Sequence, residues 1–147
     1  MKTLLRKLKC SLSLMLVFFL IEVITIIAQT VIPTGDVYGT WSLANSPYRV
    51  TGDVTVPNDS TLTIEPGVKV IFAGSYKLDV KGTVLAIGTA TDTITLTAEY
   101  DTVGWQAVKF LNTATTNDTS KFIYCKMEFG KLDKGAELER VGGSFAV

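Results

Sequence analysis

Apolar and polar side chains alternate in short runs from residue 48 to residue 129. In Thr61-Leu-Thr-Ile-Glu-Pro-Gly-Val-Lys-Val-Ile-Phe72, Leu62 and Ile64 alternate with threonines, then Val68, Val70 and Phe72 alternate with Lys69 and Ile71. This is the period of a strand buried on one face, and it predicts strands over Leu62–Ile64 and Val68–Phe72. The corner between them is Glu65-Pro66-Gly67. Pro66 has no backbone N–H and a fixed φ, while Gly67 can take φ > 0, so the chain turns there.

The same reading predicts strands within Tyr48–Val56, Tyr76–Val80, Val84–Ile87, Ile94–Thr97, Trp105–Leu111 and Phe122–Phe129, punctuated by Gly, Lys-Gly and Asn-Asp turns. No segment after residue 28 has a helical period, and Val, Ile, Thr, Tyr and Phe fill the runs, so the chain is all-β. Leu62, Leu78, Ile94 and Ala107 each follow the last by about sixteen residues, and such spacing suggests stacked coils. No Asn-Gly or Asp-Gly hairpin signal separates adjacent strands. The pattern predicts a right-handed parallel β-helix, with the first few coils and an N-terminal cap; the alternative is a β-sandwich.

Residues 1–28 have the parts of a secretory signal peptide: Lys2, Arg6, Lys7 and Lys9, an apolar run from Leu12 to Ile27, and a cut expected between Ala28 and Gln29. An uncleaved membrane anchor is the alternative; the run is short and Glu22 interrupts it. Lys9 before Cys10 argues against a lipoprotein. Residues 29–50 form a lead-in and capping segment, whose Pro33, Gly35, Gly39 and Pro47 break any regular pattern. Residues 51–147 form the coils.

Composition narrows the chemistry. A chain of 147 residues with no formal net charge holds one domain at most. Without residues 1–28 the fourteen bases fall by four to ten and the fourteen acids by one to thirteen, a net charge of −3. That small excess gives no electrostatic case for nucleic acid, nor for a membrane once the signal is cleaved. There is no histidine, which removes Ser-His-Asp and Cys-His catalysis and imidazole metal sites. Only Cys125 remains after the signal, so neither an intrachain disulfide nor a thiolate cluster can form, and Cys125 reads as a small buried hydrophobe.

Several segments together carry a family resemblance: Val54-Thr-Val-Pro57, the run from Thr61 to Phe72, Leu78-Asp-Val-Lys-Gly82, Asp92-Thr-Ile-Thr-Leu-Thr-Ala98, Gly104-Trp105 and Phe122-Ile-Tyr-Cys-Lys-Met-Glu128. Over roughly residues 35–145 the chain resembles the amino-terminal coils of secreted bacterial right-handed parallel β-helix repeat proteins with a pectin-lyase-like fold. The resemblance implies an architecture rather than an activity, because such proteins include adhesin-like surface proteins and polysaccharide-active enzymes. They continue through many more coils, so Gly142-Gly-Ser-Phe-Ala-Val147 looks like the start of a further strand and the chain like a fragment. Its last coil would then offer an exposed edge for association.

Two functions follow. The preferred one is a non-catalytic secreted or cell-surface scaffold, adhesin-like or glycan-binding, with polysaccharide or cell-surface glycan as partner and no cofactor. Trp105 could offer a platform to a sugar ring, although packing against the next coil is the preferred reading. The alternative is the N-terminal part of a polysaccharide lyase or glycoside hydrolase whose active site lies outside this chain. The carboxylates on or beside strands are Glu65, Asp79, Glu99, Asp101 and Glu128, with Lys77, Lys81, Lys109 and Lys126 nearby. Glu65 reads as a corner residue and Asp79 as part of a solvated face, and no residue is assigned a catalytic, cofactor or metal role. Asp53 and Asn58-Asp59 lack the spacing of a calcium loop. Asn58-Asp-Ser60 and Asn117-Asp-Thr119 match the N-glycosylation pattern, which means little in the bacterial source that the resemblance implies.

Overall fold

The computed structural model describes residues 29–111, 114, 116–131, 138–141 and 145–146, without the side chains of 138–146. The expected signal peptide lies outside the described residues. The strands are β1 (Thr30–Ile32), β2 (Gly35–Asp36), β3 (Gly39–Trp41), β4 (Tyr48–Val50), β5 (Val54–Val56), β6 (Thr61–Ile64), β7 (Lys69–Phe72) and β8 (Leu78–Val80). They continue as β9 (Thr83–Ile87), β10 (Ile94–Ala98), β11 (Val108–Leu111), β12 (Ser120–Ile123), β13 (Cys125–Met127), β14 (Leu138–Val141) and β15 (Phe145–Ala146).

Every third strand pairs. The first sheet runs β1-β4-β7-β10-β13, the second β2-β5-β8-β11-β14 and the third β3-β6-β9-β12-β15. Every strand pairing among the described residues is parallel. The sandwich alternative fails on this point, because it needs antiparallel sheets. Three strands and three corners make one turn of the chain, and each turn rests on the one before. The arrangement is consistent with a parallel β-helix, and the backbone of each inner strand is satisfied by the coils on either side.

The predicted strands are too long where a corner is tight. Tyr48–Val56 is two strands, β4 and β5, bent at 51–53. Gly52 sits in this corner, where a Cβ would lie 2.7 Å from the Thr34 side chain of the preceding coil. Phe122–Phe129 divides at Tyr124, whose φ of 48 turns the chain within one residue. The segment before Pro47 carries β1, β2 and β3, the first rung of each sheet. Pro33 and Pro47 fall in its corners, while Gly35 and Gly39 are the first residues of β2 and β3 and have positive φ.

The sixteen-residue spacing is not the structural repeat. Leu62 lies in the third sheet, Leu78 in the second and Ile94 in the first. The true repeat follows the register Thr30, Tyr48, Val70, Leu96, Met127, with steps of 18, 22, 26 and 31 residues. Corners of unequal length conceal it.

Side chains that alternate inward form one core. Val50 and Phe72 of the first sheet, Val54, Leu78 and Val108 of the second, and Leu62, Val84 and Ala86 of the third are all buried. Aromatic pairs fill the wider places: Trp41 stacks on Tyr48 with centroids 4.9 Å apart, Phe72 on Trp105 at 4.5 Å, and Phe110 meets Phe122 edge-on at 6.2 Å. The predicted corner after Ile64 is present. Gly67 has φ +78 and its N–H donates to the Asp92 carbonyl of the next coil at 3.0 Å.

Candidate functional site

The corners between the first and second sheets lengthen from coil to coil: residues 33–34, then 51–53, 73–77 and 99–107. Each of these corners joins the same two sheets, so the added residues of the longer ones loop outward, and Tyr100, Asp101, Thr102 and Val103 are exposed. Three successive corners of this series carry an aromatic residue: Tyr76, Tyr100 and, after β13, Phe129. Tyr76 packs partly against the core, while Tyr100 is 56% and Phe129 47% exposed. Val103, also exposed, lies on the same corner as Tyr100.

This ridge is held firmly from beneath. Trp105 N–H donates to the Phe129 carbonyl at 3.1 Å and Lys131 N–H to the Trp105 carbonyl at 2.7 Å. The Trp105 indole N–H donates to the Glu128 carbonyl at 2.7 Å, and Lys131 Nζ donates to the Thr102 carbonyl. Gly104 (φ +69) lets the two corners close, since a Cβ there would lie 2.7 Å from both the Phe129 carbonyl and the Lys131 side chain. Phe129 has φ +61, a left-handed conformation that costs on the order of 1 kcal/mol and persists only where neighbours impose it. Lower on the ridge, Gln106 N–H donates to the Tyr76 carbonyl and its side-chain amide to the Ser75 carbonyl, at 2.8 and 2.9 Å.

Trp105 itself is no platform. It is fully buried and lies flat on Phe72. The residues read from sequence as candidate acids and bases are dispersed. The Glu65 carboxylate accepts the Leu43 N–H at 2.9 Å, which is a corner role. Glu99 pairs with Arg49 at 2.6 Å, Lys126 with Glu128 at 2.7 Å, and Asp101 accepts the Thr102 N–H at 2.7 Å. Lys81 is exposed, and Lys109 stands in register with Asp79.

Asp79 overturns its reading as a solvated residue. It is 8% exposed, its Oδ2 is 2.8 Å from Lys77 Nζ, and its Oδ1 is buried without a hydrogen bond. Contact with the carboxylate raises the Lys77 pKa against the lowering effect of burial. Asp53 adds a second tie to Lys77 by accepting its backbone N–H at 3.2 Å. No group of three or more His, Cys, Asp or Glu side chains suited to a metal occurs among the described residues.

The Asn58-Asp59 turn is tied by an amide pair. Asn117 Nδ2 donates to Asn58 Oδ1 and to the Lys81 carbonyl, both at 2.9 Å, while Asn117 Oδ1 accepts the Asp59 N–H at 3.2 Å. The Asn58 side-chain oxygen is thus taken up by an amide donor from the next coil but one. Cys125 is half-buried, its Sγ 3.3 Å from the Ala86 carbonyl, and burial pushes the thiol up to about 11.

Sequence reasoning missed Tyr100 and Phe129. The available signal was an aromatic residue set among turn-forming neighbours, in Glu99-Tyr-Asp-Thr102 and Phe129-Gly130. Only the strand order shows that the two lie on successive corners of one series.

Comparison with known proteins finds no matching family model and no matching solved structure. The chain is similar to Protein bark beetle of Drosophila melanogaster, with 36% identity over 63 residues, 43% of this chain. The match spans 2% of that relative's length.

Proposed function

We propose that the protein is an exported, non-catalytic β-helix scaffold, secreted or displayed at the cell surface, that binds a glycan along the ridge of Tyr76, Tyr100 and Phe129. The observation that carries this reading is the recurrence of an aromatic residue at the same corner of three successive coils. Aromatic faces take up the C–H faces of pyranose rings, and rigid rings lose little entropy on binding. A right-handed coil, which follows the usual hand of parallel crossovers, and kinship with the pectin-lyase-like proteins belong to the same reading. So does association through the last coil, where unpaired strand groups would accept another extended segment.

The test is affinity electrophoresis against soluble neutral and acidic polysaccharides. Tyr100→Ala and Phe129→Ala should each weaken retention by about 1 kcal/mol, roughly five-fold. Retention unchanged in the double variant would remove the ridge from the mechanism. Assays with and without Ca²⁺ address the enzyme alternative: new reducing ends or ultraviolet-absorbing unsaturated ends would establish catalysis.

A further inference from the structure

The first strand begins two residues after Ala28. Thr30 is anchored there, its N–H donating to the Pro47 carbonyl at 3.0 Å and its hydroxyl to the Asn45 carbonyl at 2.8 Å. Gln29 precedes it and is exposed, and no hydrogen bond involves it among the described residues. Among those residues β1 is also the outermost strand of its sheet, with no strand paired beyond it. A cut between Ala28 and Gln29 therefore leaves both Thr30 bonds in place. It leaves Gln29 with a free α-amine beside its own side-chain amide.

We propose that Gln29, once it is the first residue, cyclises to pyroglutamate, making it a modification site on the rim of the first coil. This inference rests on the export reading, with cleavage after Ala28. The α-amine nitrogen attacks the side-chain Cδ carbonyl carbon, and the new N–Cδ bond closes a lactam. The Cδ–Nε2 bond breaks, a proton passes from the attacking nitrogen to the departing one, and ammonia leaves. No oxidant, metal or co-substrate takes part. Cleavage after Ala28 frees the amine, and the exposure of Gln29 leaves its side chain room to fold back upon it. An open terminus would carry an ammonium that titrates near 7.7–8.0 (roughly the α-amino range); the lactam carries no charge. The terminus is then neutral at every physiological pH and closed to aminopeptidases.

The experiment expresses the full chain with its own N-terminus in a secreting host. Exported protein is analysed by intact mass, N-terminal peptide mass and aminopeptidase digestion. The expected product begins at Gln29, is lighter by one ammonia, resists aminopeptidase and is opened by pyroglutamyl peptidase. The Gln29→Ala variant, exported in parallel, should keep its ammonium and remain open to aminopeptidase. A terminus at Gln29 that retains its ammonia after prolonged incubation at neutral pH overturns the proposal while sparing the cleavage site. A product that still carries residues before Gln29 overturns both, and the mass distinguishes the two failures.

Discussion

Arg49 and Glu99 are fifty positions apart in sequence, yet the Arg49 Nη2 and Glu99 Oε2 atoms meet at 2.6 Å. Arg49 stands in register with Ile71, and Ile71 with Thr97, so the guanidinium reaches past one whole coil to the residue that leaves β10. The contact spans the place where the lengthened corner of the third coil begins. The hydrogen bond to Glu99 raises the Arg49 pKa, against the lowering effect of desolvation.

Both partners of this pair keep access to water, so its contribution should be modest and screened. Arg49→Met and Glu99→Gln should each lower the urea midpoint slightly, with the double variant no worse than either single one. In molar salt the difference from the parent should vanish. A loss that persisted undiminished there would show packing of the Arg49 stem, rather than charge, to be what matters.

The stacked pair Phe72 and Trp105 should dominate local stability. Both are essentially inaccessible, with ring planes 6° apart. Trp105→Ala should cost about 3–5 kcal/mol in chemical unfolding, through lost burial and the cavity left behind. Acrylamide should also fail to quench native Trp105 in a Trp41→Phe background, and efficient quenching would contradict its burial.

Two glycines should respond to substitution for different reasons. At Gly67 (φ +78) the nearest atom to an added Cβ is Leu43 Cδ1 at 3.4 Å, so Gly67→Val suffers from backbone strain, roughly 1–2 kcal/mol. At Gly82 a Cβ would stand 2.3 Å from both the Pro57 and Ser60 carbonyl oxygens. Gly82→Ala should force two coils apart and lower the midpoint more than Gly67→Val does. The opposite order in thermal unfolding would mean that the corners at 57–60 and 81–82 are not stacked as described.

Alkali should loosen the fold in two stages. Burial raises the Cys125 thiol from its ordinary 9.0 to about 11. An acid with a raised folded pKa supports the native state fully below its unfolded value and loses that support as pH climbs to the folded one. Stability should therefore fall between pH 9.0 and about 11, by roughly 1 kcal/mol after allowance for the thiol's partial exposure. Lys77, raised above 10.5 by Asp79, contributes fully below that value and loses its share as pH passes through its folded pKa. Cys125→Ala should flatten the first stage of urea midpoint against pH and leave the second.

Local alternation is a dependable guide to which side chains face inward. Val54 and Val56, Leu62 and Ile64, and Ile94 and Leu96 all lie in the core as their two-residue period implies. Alternation does not reveal how deeply an outward residue is covered. Asp79 alternates with Leu78 and Val80 as a solvent-facing residue would, yet neighbouring groups enclose it. Trp105, set after a glycine in a polar stretch, is held inward by its ring contact with Phe72.

Short-range steric and hydrophobic constraints, then, are written in the chain itself: strand-forming runs, their inward faces, and the corner at Glu65-Pro66-Gly67. Which strand lies on which is not, because corners of very unequal length, one residue at Tyr124 and nine at 99–107, shift the repeat from coil to coil. Only the closed stack, in which each backbone finds its partners a full turn away, brings Arg49 to Glu99 and puts Tyr76, Tyr100 and Phe129 on successive corners of one series. Such contacts depend on register between distant segments, and register is a property of the assembled coils.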